Sequence, residues 1–304
     1  MMNYLDPMGT ETLRDKPEQA IHRNLVRLTP GTQKMAPTLA MSNMFPTAEE
    51  VKAFALAYHF AGIDWSFDLD QLPTTPIEVS WWAKEQAFLA PLAVRYHCPF
   101  YQLDLGHEDP AQAERAESVF RHIIRLVAKA GGRYLSIHLG LGLDSTEPLS
   151  WEVTLNNLRR LVRFGARHQV TVCLENLAWG WTSKPNLFEK LIRMSGAGVT
   201  LDIGHARVCE AVKSQQYSIE DFVAPHPDRV FNAHIYHTEI PGRGHVPPQT
   251  LDQIRDRLTL IHEAGCRWWV LELKETEGLL QTRKVVDEYL AETMSTSNQS
   301  AIYG

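Results

Sequence analysis

The sequence predicts an α/β fold, a closed (β/α)8 TIM barrel, and three observations carry that prediction. Eight short apolar runs recur along the chain. Helical patterns follow most of them. The segment that holds them, 37–292, spans about 250 residues, close to the usual length of such a barrel.

The first run, Pro37–Met41, leads into a helical pattern over 47–60 that Thr47 and Glu50 open as a capping box. Gly62–Phe67 comes next, with a less regular segment behind it. Leu92–Tyr96 precedes a helix at 110–130, which Gly131 and Gly132 end. Tyr134–Ile137 precedes 150–168, and Val170–Leu174 precedes 185–195. Val199–Leu201 is again followed by an irregular stretch. Val230–Ala233 precedes 250–264, and Trp268–Leu271 precedes 279–292. Each run is short enough for a strand buried on both faces, and strict alternation with helices favours a parallel sheet. An open doubly wound sheet would carry a glycine-rich turn after its first strand. Here that turn is Ser42-Asn43-Met44-Phe45-Pro46, without glycine.

Residues 1–36 carry no sustained periodicity and read as an N-terminal extension with no assigned role. Residues 293–304 are polar and uncharged and read as a loose C-terminal tail. The barrel between them is the catalytic domain.

Composition removes several function classes. Of 304 residues, 44% are hydrophobic, enough to bury a large core. Lys plus Arg is 30 against 36 for Asp plus Glu, a net charge of −6, so nucleic acid is not an expected partner. No apolar stretch is long enough to span a membrane, and the first thirty residues lack the apolar core of a secretory signal. Cys98, Cys173, Cys209 and Cys266 form no C-x-x-C pair and read as reduced thiols. A cytoplasmic location is expected, and the sequence is compatible with a homo-oligomer.

The chemistry sits at the strand ends. His97, His138, Glu175, Asp202, His234 and Glu272 each end or directly follow a predicted strand. In a barrel these positions crowd round the rim where such folds keep their sites. One such histidine would be unremarkable; six successive metal-capable residues are hard to ascribe to chance. An ionised carboxylate at the end of a buried strand is costly unless paired or bound to a cation. No lysine or arginine ends a neighbouring strand to pair with Glu175, Asp202 or Glu272. A divalent ion resolves their mutual repulsion, and His234 adds a nitrogen. Three oxygens and one imidazole suit Mn²⁺, Mg²⁺ or Co²⁺ better than a thiolate-rich structural zinc. Mn²⁺ is the first expectation, with Mg²⁺, Co²⁺ or Zn²⁺ behind it. A metal-free hydrogen-bond network is the rival reading.

Further histidines cluster nearby. Asp202-Ile203-Gly204-His205 places His205 just beyond a candidate ligand, and His234-Ile235-Tyr236-His237 repeats that spacing. Pro241-Gly242-Arg243-Gly244-His245 is a glycine-rich loop presenting another. His205 and His245 could grip substrate hydroxyls or bind further metal; each alone could equally be a loop histidine facing water. Trp179-Gly180-Trp181 follows Glu175, and an aromatic face beside a polar site suits the C–H faces of a sugar. Ordinary loop packing would explain the same residues.

Ser136-Ile137-His138-Leu139-Gly140, Leu174-Glu175-Asn176, Leu201 to His205, His234 to His237, Gly244-His245 and Leu271-Glu272 occur in this order. Together they resemble the xylose isomerase-like superfamily over about residues 37–292. Tyr96-His97-Cys98-Pro99-Phe100 is similar to that family's third-strand segment, and Pro241 to Val246 is most similar to the ketose 3-epimerases. That resemblance implies a divalent-metal-dependent sugar isomerase or epimerase. The matches to Glu175, Asp202, His234 and Glu272 hold one Mn²⁺-like ion. Those to Glu175 and Glu272 also exchange protons with the substrate carbon through an enediolate, and the match to His205 contacts the sugar. His97, His138, His245, Arg243 and Trp179 complete the expected substrate-binding set. The epimerases carry a longer loop with a substrate-binding arginine; here Arg243 is the only arginine nearby, so the substrate could be another small polyol or acid. Endonuclease IV is the more distant resemblance. It shares the matches to His97, His138, Glu175, Asp202, His205, His234, His245 and Glu272, but has a zinc-binding Asp where this chain has Arg243. An inosose dehydratase-like lyase would use much of the same machinery, and a non-catalytic ligand-binding barrel is compatible with the same fold.

Overall fold

The computed structural model describes residues 36–302, with side chains described through Thr293. Eight parallel strands close into the expected barrel. They are β1 (Thr38–Ser42), β2 (Gly62–Ser66), β3 (Ala93–Cys98), β4 (Tyr134–Ile137), β5 (Thr171–Glu175), β6 (Gly198–Asp202), β7 (Val230–Ile235) and β10 (Trp268–Leu271). The order round the barrel is β1-β10-β7-β6-β5-β4-β3-β2, so β1 pairs with both β2 and β10 and leaves no edge. A short antiparallel hairpin, β8 (Thr238–Ile240) and β9 (Gly244–Val246), is inserted after β7.

The helices pack outside because their apolar residues recur every three to four positions. In α3 (Pro110–Lys129), Ala113, Ala116, Phe120, Ile123, Ile124 and Val127 form the buried stripe. In α4 (Trp151–Arg167), Leu155, Leu158 and Leu161 do the same. The Thr47–Glu50 capping box opens α1 (Ala48–Ala57) as expected. After α3, Gly131 adopts φ +78°, and a Cβ on Gly132 would lie 2.4 Å from the Tyr96 ring, so both glycines are required there.

Two helices, the second and the last, depart from the sequence expectation, while the stretch after β6 is irregular as expected. α2 (Pro76–Phe88) fills the irregular segment after β2. Its apolar periodicity is smeared because Ile77 and Trp81 are about 70% exposed while Gln86 is buried. Thr75, Pro76 and Glu78 still give it a complete N-terminal signature. After β6 lie only two short helices, α6 (Ile203–Val208) and α7 (Glu210–Lys213). After α5 (Pro185–Ser195) and α8 (Arg255–Glu263), the last helix, α9, runs Thr276–Ile302. The polar stretch from Thr293, expected as a loose tail, is therefore largely a continuation of α9: no proline or glycine stops the helix before Gly304. The expected extension, 1–36, lies outside the described residues except for Ala36. All four cysteines are buried and unpaired, and among the described residues no helix is long and apolar enough to cross a membrane.

Candidate metal centre

Four neighbouring barrel strands supply the heart of the site. Glu175 ends β5, Asp202 ends β6, His234 lies near the end of β7, and Glu272 follows β10. Their ligand atoms all lie within 4.8 Å of one another. His234 Nδ1 is 3.1 Å from Glu175 Oε1 and 3.1 Å from Glu272 Oε2, so the two glutamates converge on one imidazole nitrogen. Glu175 is almost sealed, with 2% of its side chain exposed, whereas Glu272 at 19% faces the opening.

The backbone explains these placements. Asp202 caps α6: its Oδ1 accepts from Gly204 N at 2.8 Å and His205 N at 2.7 Å. Its Oδ2 is left without a hydrogen bond. Asn176 holds the Asp202 backbone through both its amide atoms, at 2.8 and 2.9 Å. A Cβ on Gly204 would lie 2.0 Å from the Tyr236 ring, so only glycine permits this tight turn between Asp202 and His205.

His97 and His138 converge on Glu175 from the other side, with Nε2 atoms 3.4 and 3.2 Å from its Oε2. His205 contacts Asp202 Oδ2 at 3.4 Å and Glu239 Oε2 at 3.3 Å, and Asn176 O lies 3.1 Å from its Nδ1. His245 lies with its ring stacked on Tyr236 at 3.8 Å, its Nδ1 2.8 Å from Glu272 O. Trp179 is half-buried beside Gly140, where it would touch a Cβ at 3.6 Å. Arg243 stands at the exposed turn of the β8–β9 hairpin, apart from this cluster. His237 is turned away as well, its carbonyl held by the buried Arg257 at 2.8 Å.

Two site residues go beyond the sequence expectation. Asp64 lies two positions inside the end of β2 and is buried, with its Oδ2 3.7 Å from His97 and 3.9 Å from His234. In the sequence it sits within Gly62-Ile63-Asp64-Trp65-Ser66, where attention falls on the aromatic. Its signal is a charged residue in an otherwise apolar strand. Glu239 is delivered by the hairpin, which the sequence does not announce.

The electrostatics follow from carboxylates crowded out of water. Burial disfavours charge on Glu175, but His234 and His138 beside it outweigh this and hold its carboxyl well below the ordinary range. Glu272 is lowered too: burial opposes its charge, and His234 and His245 outweigh burial. Asp202 goes the other way; burial dominates and the neighbouring glutamates add to it, against His205. Burial opposes charge on His205, yet Asp202 and Glu239 push it up to about 10.

The residues fit a divalent cation on structural grounds. Glu175 Oε2, Asp202 Oδ2 and Glu272 Oε2 are buried without a hydrogen bond, and all belong to the four-residue group. Buried polar atoms normally find partners, so convergent orphan oxygens mark a place for a cation. Three overlapping groups, Asp64–His97–His234, His97–His138–Glu175 and Asp202–His205–His245, also have metal-binding spacing.

A family model described as "Xylose isomerase-like TIM barrel" matches residues 53–289. The chain belongs to this family. Within the xylose isomerase-like barrels it resembles a D-tagatose 3-epimerase-like protein, with TM-score 0.66, 13% identity and coverage of 86% of this chain and 99% of that one. It also resembles an L-ribulose 3-epimerase, with TM-score 0.65, 18% identity and coverage of 88% and 98%. Endonuclease IV from Thermus thermophilus gives TM-score 0.63 at 16% identity, covering 84% of this chain and 100% of that one. An uncharacterized protein of Methanocaldococcus jannaschii is 26% identical over 197 residues, which is 65% of this chain and 80% of the relative.

Proposed function

We propose that this barrel is a divalent-metal-dependent isomerase or epimerase of a small sugar or a related hydroxy-carbonyl compound. The single observation that carries the reading is the convergence of Glu175 and Glu272 on one His234 nitrogen, inside one four-residue ligand group. The resemblance to epimerase structures supports it.

A divalent ion bound there, Mn²⁺ first, would supply Lewis-acid polarisation of a carbonyl oxygen. Glu175, Asp202, His234 and Glu272 would hold it. Proton transfer falls to the two glutamates: one takes the proton from the carbon next to the carbonyl, and the other returns one. Two carboxylates reaching the planar intermediate from different sides would allow inversion at the carbon that lost the proton; return to that carbon from the same side would give exchange alone, and return to the neighbouring carbon isomerisation. His97, His138, His205 and His245 ring the centre and can donate to substrate hydroxyls, while Trp179 offers an apolar wall at the rim.

The His97–His138–Glu175 group, with room for a second ion, favours endonuclease chemistry as the second reading. The exposed Arg243 and the net charge of −6 speak against it. One experiment separates them. Mn²⁺-loaded protein is incubated in heavy water with a panel of ketopentoses, ketohexoses and hydroxypyruvate, and in parallel with a duplex bearing an abasic site. Deuterium incorporation at a carbon next to a carbonyl, without strand cleavage, is expected. Efficient metal-dependent incision with no exchange in any sugar overturns the proposal.

A further inference from the structure

His234 has two ring nitrogens with different surroundings. Nδ1 faces Glu175 and Glu272, each at 3.1 Å. Nε2 is buried, has no hydrogen-bond partner among the described residues, and looks toward Asp64 Oδ2 at 3.9 Å. The same oxygen lies 3.7 Å from His97 Nδ1, whose other neighbours are Ser66 Oγ at 3.3 Å and Glu272 Oε1 at 3.9 Å.

Among the described residues no lysine or arginine makes a salt bridge to Asp64, whose salt-bridge contacts there are His97 and His234 alone, and Arg95 acts on it only through space. Arg95, its register neighbour on β3, is committed elsewhere. That guanidinium donates to Phe231 O at 2.6 Å and to the Asn232 side chain, and stacks on Tyr134.

A neutral imidazole carries one N–H and one lone pair, and only the lone pair can bind an ion. If Nδ1 is the ligand atom, Nε2 must carry the hydrogen, and that hydrogen needs an acceptor. A histidine ligand whose second nitrogen faces a carboxylate is fixed in one tautomer and one ring orientation. The 3.9 Å separation is an electrostatic contact, which a small carboxylate rotation or one bridging water converts to a hydrogen bond.

We infer that Asp64 is a positioning residue for the metal centre: it receives the Nε2 hydrogen of His234 and so aims the Nδ1 lone pair at the space between Glu175 and Glu272. The inference rests on the reading of the four-residue group as an ion site, and is independent of which substrate the enzyme takes.

The test is a Mn²⁺ titration by calorimetry of the full chain in four forms: wild type, Asp64→Asn, His234→Gln, which keeps an oxygen able to ligate but has no imidazole, and the double variant. Asp64→Asn is expected to weaken Mn²⁺ binding by about 10–100-fold. In the His234→Gln background the same change is expected to matter by less than about 3-fold, because Asp64 acts through the imidazole ring. Equal weakening in both backgrounds, or a second ion lost with Asp64, overturns the assignment. So does unchanged affinity in Asp64→Asn beside normal wild-type uptake. A wild type that takes up no Mn²⁺ instead removes the ion site itself. Nitrogen NMR of Zn²⁺-loaded wild type keeps the inference testable even if Asp64→Asn fails to fold. The His234 hydrogen is expected on Nε2, and finding it on Nδ1 refutes the inference.

Discussion

Two polar layers lie inside this barrel, equally buried and built to opposite ends. The lower layer is closed. Ser136 and Thr200 share a 2.6 Å hydrogen bond, Asn232 donates to both at 3.3 and 3.0 Å, and Arg95 docks on Asn232 and the Phe231 carbonyl. The upper layer begins two residues further along the same strands, at His97, His138, Asp202 and His234. There His97 Nε2, His138 Nδ1, Asp202 Oδ2 and His234 Nε2 lack aligned partners. Burial alone therefore says nothing about function; satisfaction does. A network that answers all its own hydrogen bonds is scaffold, and one that leaves charged atoms unanswered awaits a ligand.

The largest effect should come from the upper layer. Glu175→Gln and Glu272→Gln preserve size and one oxygen but remove the base. Each is expected to lower turnover by about 10²–10⁴-fold while much of the metal is kept. Asp202→Asn and His234→Ala should lose metal first and activity with it. Atomic spectrometry beside a deuterium-exchange assay distinguishes the two patterns. Gln variants exchanging at wild-type rates would move the base to His138, His205 or His245.

Breaking the lower layer should do the reverse. Asn232→Leu orphans donors and acceptors on Arg95, Ser136 and Thr200, and is expected to cost about 2–4 kcal/mol of stability. Mn²⁺ affinity should stay within about 3-fold, since no ligand is touched. Urea unfolding and calorimetry check this. A large affinity loss at unchanged stability would erase the distinction between the layers.

The smallest effect sharpens the comparison from outside both layers. Asp104, buried in the loop after β3, accepts a backbone N–H from Gly140 at 2.8 Å. Burial pushes its carboxyl up to about 6. A folded pKa raised above the unfolded value means this group favours the fold when protonated, an advantage lost as pH rises from about 4 through 6. Asp104→Asn keeps the acceptor and removes the charge. Its unfolding free energy relative to wild type should therefore improve by about 2–3 kcal/mol between pH 4 and pH 7.5. A pH-independent difference would show that Asp104 is solvated.

The strands were legible because strands buried on both faces give short, mainly apolar runs, even where β2, β3 and β7 carry Asp64, Arg95 and Asn232. The residue cluster was legible where a carboxylate ends such a run, as Glu175 and Asp202 do. Asp64 was hidden because it sits inside the run, two residues before Ser66, rather than at its end. The hairpin was hidden because its strands have three residues each and no buried face to impose a period of two. α2 was hidden for the related reason that it leaves Trp81 and Ile77 outward, although its capping box was present in the sequence.

The ion content of the purified chain under saturating Mn²⁺ tests the central claim most directly. One tightly held ion per chain is expected at the four-residue group, lost in His234→Ala and Asp202→Asn. Its binding should raise folding stability by about 2.7 kcal/mol at a hundredfold excess over the dissociation constant. No uptake and no rise in stability, or an ion that survives both substitutions, would contradict a metal centre built from Glu175, Asp202, His234 and Glu272.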